Sequence, residues 1–147
     1  MKTTGNTVFI SGGSAGIGLA IAKKLQAAGN KIIINGRSEE RLQNALKELD
    51  NAVAIQGDLA VPEDRIRISN ELKTQHPEVN IIINNAGAAI GYSLSETANA
   101  YEKAAHEMNT NYFAIIHFTE LMLPLLFQKE SAAIVNVSSI AVYGSHK

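Results

Sequence analysis

The sequence predicts an α/β fold: a Rossmann-type, doubly wound parallel sheet of five strands in the order 3-2-1-4-5. Three observations predict it. Apolar strand-like runs alternate with helix-like segments along the whole chain, the βαβα pattern that packs helices on both faces of a parallel sheet through right-handed crossovers. Ile32-Ile33-Ile34 and Ile81-Ile82-Ile83 are unbroken β-branched runs, as expected of strands buried on both faces. Val8-Phe9-Ile10 leads directly into Ser11-Gly12-Gly13-Ser14-Ala15-Gly16-Ile17-Gly18 and then Leu19–Leu25, which reads as a strand, a glycine-rich turn and a helix.

The first strand is Thr7–Ser11, and its helix runs from about Gly16 to Ala28, stopping at Gly29, a residue suited to a left-handed cap. In the turn, Gly12 takes positive φ at little cost. Gly16 and Gly18 lack the Cβ that would hold the backbone away from a phosphate and the helix away from the strand. The free N–H groups and positive dipole end of the helix then face an anion. The spacing is G-x-x-x-G-x-G rather than the common G-x-G-x-x-G, and any tight strand-to-helix turn can use such glycines, so the context decides what the motif means.

The second strand is Lys31–Asn35. Ser38 can cap a helix through Leu49, with Glu39 and Glu40 suiting its dipole. The third strand is Ala52–Gln56. Pro62 suits a first helical turn, and Glu63–Gln75 reads as helix with Ile66, Leu72 and Val61 inward. The fourth strand is Asn80–Ile83, followed by one long helix over roughly Ala98–Gln128 and a last strand, Ala133–Val137.

Composition narrows the function classes. Length predicts one domain, residues 1–147, and 46% apolar against 18% charged residues predicts a globular one. A net charge of −1 offers no basic surface for nucleic acid. The absence of cysteine excludes disulfides and thiolate chemistry and fits a cytoplasmic location. Nothing resembles a signal peptide, and His117, Glu120 and Pro124 break the longest apolar stretches, so no membrane span is expected. His76, His106, His117 and His146 share no metal-ligand spacing and read as surface or packing residues.

In such a sheet, ligands bind at the carboxyl ends of the strands, at the switch point between strands one and four. There the chain places Gly12, Asn35-Gly36-Arg37, Gly57-Asp58-Leu59, Asn84-Asn85-Ala86-Gly87 and Asn136-Val137-Ser138-Ser139. Each cluster has a plain structural reading. Asp58 can cap a turn, the amides of Asn84 and Asn85 can tie strands together, Arg37 can be a solvated loop residue, and Ser138 and Ser139 can be loop hydroxyls.

Taken in order, these clusters resemble the classical short-chain dehydrogenases/reductases over essentially the whole chain. The run Glu78–Gly87 is also similar to a little-characterised bacterial branch named after the D-alanyl-lipoteichoic-acid operon. The resemblance implies an oxidoreductase moving hydride between a nicotinamide cofactor and a small-molecule alcohol or carbonyl substrate. It implies that Gly12, Ser14, Gly16, Ile17 and Gly18 hold the cofactor, that Asp58 and Leu59 meet the adenine, and that the riboses lie against Asn85, Ala86 and Gly87. It places the family's helix asparagine at Asn111, by its distance before Leu123-Pro124, where it holds a water in a proton relay; Asn109 is then an incidental neighbour. It assigns Ser139 to hydrogen-bond the substrate oxygen, where hydride transfer to a carbonyl builds negative charge, and Ser138 to support the backbone near the nicotinamide.

The end of strand two separates the cofactors. An Asp or Glu there would bind a ribose 2′-OH and repel a 2′-phosphate. Gly36 leaves room instead, and Arg37 offers a forked cation matched to phosphate. NADP(H) is therefore expected over NAD(H), with NAD(H) still possible. Gly36 also disfavours a Rossmann methyltransferase, which usually carries an acid at this place.

The family's chemistry further needs a Tyr as general acid/base and a Lys four residues on, whose charge lowers the Tyr pKa. The chain continues for eight residues after Ser139, fewer than the family's spacing to this tyrosine, and without the sixth and seventh strands. The expectation is thus the dinucleotide-binding front part of a longer enzyme, itself inactive; the alternative is a non-catalytic, truncated binding module. Tyr143-Gly144-Ser145-His146-Lys147 fits Y-x-x-x-K formally, but only three residues separate Ser139 from Tyr143 and the helix would have to hold Gly144 and Ser145, so it reads as a decoy. Finally, Tyr112, Phe113, Ile115, Ile116, Phe118, Leu121, Met122, Leu125 and Leu126 exceed one buried stripe, so a homo-oligomer through this helix is expected.

Overall fold

The computed structural model describes residues 2–91, 95 and 98–139. The strands are β1 (Thr7–Ser11), β2 (Lys31–Gly36), β3 (Val53–Gln56), β4 (Ile81–Asn84) and β5 (Ala133–Asn136). They form one sheet in the order β3-β2-β1-β4-β5, every pair parallel. The helices are α1 (Gly16–Ala27), α2 (Glu39–Leu46), α3 (Pro62–Gln75), α4 (Ala100–Met108) and α5 (Ala114–Leu126). A π-helical turn, Asn109–Phe113, joins the last two.

The pleat explains the two cores. Alternate residues of a strand face opposite sides of the sheet. Phe9, Ile33 and Ile82 therefore meet Ile68 and Leu72 of α3 and Phe118 and Met122 of α5. Their neighbours Val8, Ile10, Ile32, Ile34, Ile81 and Ile83 meet Ala22, Leu42 and Ala45 of α1 and α2. The Phe9 and Phe118 rings pack at 5.2 Å. The tripled isoleucines are thus two-faced strands, each face covered by helices.

The two rims differ. At the amino ends of the strands, Asn6, Asn30 and Asn80 bond one another: Asn6 Nδ2 donates to Asn30 Oδ1 and Asn80 Nδ2 to Asn6 Oδ1. Asn30 Nδ2 also donates to the Thr3 and Leu25 carbonyls. That rim is sealed by its own amides, and the open groove lies at the other.

Three expectations are corrected. Helix α2 stops at Leu46 rather than Leu49, because Lys47, Glu48 and Leu49 bond three residues back, a tightened turn leading to Asn51 at φ +53°. The single helix over 98–128 is two helices with a π-helical turn between them. Val61, just before α3, and Ile66 within it do not point inward: they are 42% and 45% exposed. The buried stripe of α3 is Arg65, Ile68, Ser69 and Leu72, spaced i, i+3, i+4, i+7. Ile66 lies one residue off that stripe, and the inward place goes to an arginine whose donors are satisfied.

Candidate active site

The glycine turn, the start of α1 and the segment after β4 interlock. Gly12 has φ +65°, and a Cβ there would lie 3.0 Å from Asn85 Nδ2 and 3.1 Å from the Ala86 Cα. A Cβ on Gly18 would run into the Gly12 carbonyl and come within 2.5 Å of Asn85 Nδ2. Gly16 meets nothing within 4 Å but has φ +54°, so it answers to backbone conformation rather than space. Gly13, which the sequence reading left without a role, also allows close packing: its Cβ would lie 2.6 Å from Ile34 Cγ2. Helix α1 begins without a side-chain cap or an acidic residue in its first turn. Its N-terminal dipole is therefore not offset by its own first-turn side chains.

Ser11 is a second residue the sequence reading passed over. Its hydroxyl accepts from the N–H groups of both Asn85 and Ala86 at 3.0 Å. Asn85 Nδ2 in turn donates to the Ser11 and Gly12 carbonyls at 3.0 and 3.2 Å. Asn84 Nδ2 donates to Asn136 Oδ1 at 2.8 Å. The amides tie the strands together, as their structural reading expected.

An open groove of about 650 Å³ runs along this rim. It brings together Gly12, Ser14, Arg37, Asp58, Leu59, Asn85, Ala86 and Gly87, far apart in sequence. His106 and Thr110 close one side. Gly16 and Ile17 lie at the exposed start of α1, and Gly18 is buried beneath the turn. Asn111 stands in the π-helical turn with both ends of its amide on one residue: Nδ2 donates to the Ala88 carbonyl at 2.7 Å and Oδ1 accepts from the Ala88 N–H at 2.8 Å. Asn109 has work of its own, donating to the Ala60 carbonyl at 2.9 Å. Ser138 and Ser139 follow β5 on the same rim and are exposed. Tyr143, His146 and Lys147 lie outside the described residues.

The wall built by Arg37, Asp58 and their neighbours is polar and firmly held. Asp58 Oδ1 accepts from the Ala60 N–H at 2.8 Å, capping the turn, while Oδ2 stands 3.5 Å from Arg37 Nη1 across the groove mouth. Asp64 Oδ2 accepts from the Asp58 N–H at 2.8 Å. That bond, with Arg67 beside it, holds the Asp64 carboxyl below its usual value of 3.8. Gln56 Nε2 donates to the Arg37 carbonyl at 3.1 Å, fixing the backbone from which Arg37 projects. A Cβ on Gly36 would lie 2.8 Å from Ser14 Oγ, so an acidic residue there would displace Ser14.

The family profile described as short chain dehydrogenase matches residues 6–145. The chain belongs to the short-chain dehydrogenase family. It is 39% identical over 139 residues to "Uncharacterized oxidoreductase DltE" of Bacillus subtilis (strain 168), covering 95% of this chain and 55% of that protein. It is 30% identical over 150 residues to "NADP-dependent 3-hydroxy acid dehydrogenase YdfG" of Salmonella typhi, covering 95% of this chain and 60% of that one. Among solved structures of short-chain dehydrogenase type, L-sorbose reductase from Gluconobacter frateurii, complexed with NADPH and L-sorbose, superposes with a TM-score of 0.88 at 25% identity, covering 97% of this chain and 56% of that one. The chain thus spans a little over half the length of these relatives. Among the described residues, no helix is long and apolar enough to cross a membrane, and no group of three His, Asp or Glu could hold a metal ion.

Proposed function

We propose that this chain is the dinucleotide-binding part, residues 1–147, of a longer short-chain oxidoreductase that moves hydride between NADP(H) and an alcohol or carbonyl compound. The glycine cradle supports the cofactor: a Cβ on Gly12 or Gly18 would intrude on Asn85, Ala86 or the Gly12 carbonyl, and so tight and bare a strand-to-helix turn suits close approach of a pyrophosphate. In this reading Gly12, Ser14, Gly16, Ile17 and Gly18 embrace the diphosphate. Asp58 and Leu59 take the adenine, and Asn85, Ala86 and Gly87 lie under the riboses. When bound, the nicotinamide gives or accepts the hydride. The Ser139 hydroxyl donates to the substrate oxygen as charge develops on it. Asn111, committed to Ala88, holds the segment after Gly87 against the π-helical turn.

The observation that carries the cofactor choice is the end of β2. Gly36 packs on Ser14, which an acid there would displace, and Arg37 reaches across the groove mouth. A ribose 2′-phosphate would draw Arg37 from Asp58 with a bidentate, charge-assisted pair. The NADP dependence named for the Salmonella relative and the NADPH in the sorbose reductase structure agree with this reading. Calorimetry of the chain with NADPH and NADH tests it: NADPH is expected to bind more than about tenfold tighter, and equal or tighter NADH binding would overturn it. The chain alone is expected to oxidise no NADPH with a panel of carbonyl substrates. Turnover that vanishes in Tyr143→Phe would instead make it a complete enzyme.

A further inference from the structure

Helix α3 buries an arginine where a hydrophobe would be easier to house. Arg65 is 5% exposed, on the same stripe as Ile68 and Leu72. Burial pulls its pKa down, with the charges of Glu63 and Asp58 pulling the other way, yet a guanidinium remains charged in proteins. Among the described residues no carboxylate lies within ion-pair distance of it. Its partners are neutral: Nη1 donates to the Leu59 carbonyl at 2.6 Å and Nε donates to His117 Nδ1 at 3.1 Å. A buried cation with only neutral partners is a poor way to stabilise a helix interface. What it does achieve is geometric.

We infer that Arg65, set by His117, is a positioning residue for adenine recognition, acting through the Leu59 carbonyl; this rests on the cofactor reading above. Asp58 and Leu59 line the groove, and three side chains hold their loop from beneath. Asp64 takes the Asp58 N–H, Arg65 the Leu59 carbonyl, and Asn109 the Ala60 carbonyl. Arg65 holds the carbonyl side of the Leu59–Ala60 peptide, whose N–H goes to Asp58 Oδ1, and continues through its Nε to His117 of α5. Fixing the Leu59 carbonyl fixes the tilt of the peptide behind it, and with it where the Asp58 carboxylate and the Leu59 side chain meet the base. His117 accepts through Nδ1, so its ring proton sits on Nε2. That bond orients the guanidinium plane and so aims Nη1 at Leu59.

The test separates adenine reading from folding. Affinities for NADPH and for its hypoxanthine analogue, which replaces the exocyclic amino group of adenine with an oxo group, are measured by calorimetry with the melting temperature of each variant. The wild-type chain is expected to prefer NADPH by about tenfold, the worth of one charge-assisted hydrogen bond. Arg65→Met is expected to remove most of that preference, an effect that general loosening, which weakens both ligands alike, does not produce. His117→Asn keeps an acceptor at the Nδ1 position and should retain the preference, whereas His117→Leu should lose much of it. If Arg65→Met does not fold, the two His117 variants decide, and equal preference in both overturns the inference. So does a folded Arg65→Met that discriminates as the wild type does. A wild-type chain that binds neither ligand overturns the cofactor reading and this inference together, whereas one that binds both equally overturns this inference alone.

Discussion

Asp58 shows how a structural role can leave part of a side chain for another. One oxygen caps the turn through the Ala60 N–H and the other faces Arg37, so the structural role leaves the second oxygen for recognition. Arg37 is highly exposed at 75% of its side chain, and its pairing with Asp58 is accordingly weak and easily exchanged for a phosphate. Arg37→Ala is expected to weaken NADPH binding by roughly tenfold to a hundredfold and to leave NADH binding nearly unchanged, as measured by calorimetry at fixed ionic strength. An equal loss for both cofactors would show that Arg37 shapes the groove rather than choosing between ligands. Gly18 carries a different kind of constraint. Gly18→Ala forces a methyl against the Gly12 carbonyl and the Asn85 amide, which should cost about 1–3 kcal/mol of overpacking. Denaturant titration should show this as a lower midpoint, and an unchanged midpoint would mean that the turn can shift.

Elements are decided partly by their neighbours. The strands of this chain needed little help: β1, β2 and β4 each hold an unbroken apolar run, Val8–Ile10, Ile32–Ile34 and Ile81–Ile83, ended by polar or glycine residues. The helical stretch after β4 is different. Nothing in Asn109-Thr110-Asn111-Tyr112-Phe113 demands a π-helical turn. The turn coincides with two amides that reach outward, Asn109 to Ala60 and Asn111 to Ala88, and such turns gather at functional sites. The loop between β3 and α3 depends on long-range and local bonds alike, Asp64 among them. Its folded-state pKa is lowered, so its contribution is present above its ordinary value of 3.8 and lost as pH falls through the lower folded value. Asp64→Asn should therefore lower the melting temperature at neutral pH, and the gap should close in acid below that range. A gap that is constant with pH would assign the effect to packing instead.

At the scale of the molecule, the exposed apolar side chains of the described residues include two groups that lie close together in sequence. Tyr112, Phe113 and Ile116 stand out from the π-helical turn and α5, and Ile134, Val135 and Val137 are exposed along β5. Strand β5 is an edge strand, and edges of this kind pair or are covered. Self-association of the chain is expected, and light scattering across a concentration series checks it; a clean monomer at high concentration counts against it. The core below is independent of that surface. Phe118, fully buried against Phe9, anchors α5 on the sheet, and Phe118→Ala should cost about 3–5 kcal/mol, measured by chemical denaturation.

The sequence by itself determined the class of fold, the strand order and the rim on which the open groove lies, because these follow from short-range pattern: doubled-face isoleucine runs, a glycine turn between strand and helix, and polar clusters after each strand. Even the amides of Asn84 and Asn85 were legible as ties. Only the tertiary structure decided what depends on partners distant in the chain. Ser11 is an acceptor for two N–H groups more than 70 residues away, which no local pattern announces. Ile66 yields the inward face of α3 to Arg65 because a carbonyl on one loop and a ring nitrogen on another helix await its donors. The extra turn in the long helix appears where two loop carbonyls stand within reach of its asparagines. A pattern of residue types records which side chains prefer to leave water, but a buried polar group is settled by its hydrogen-bond partners, and those are assembled only when the chain has folded.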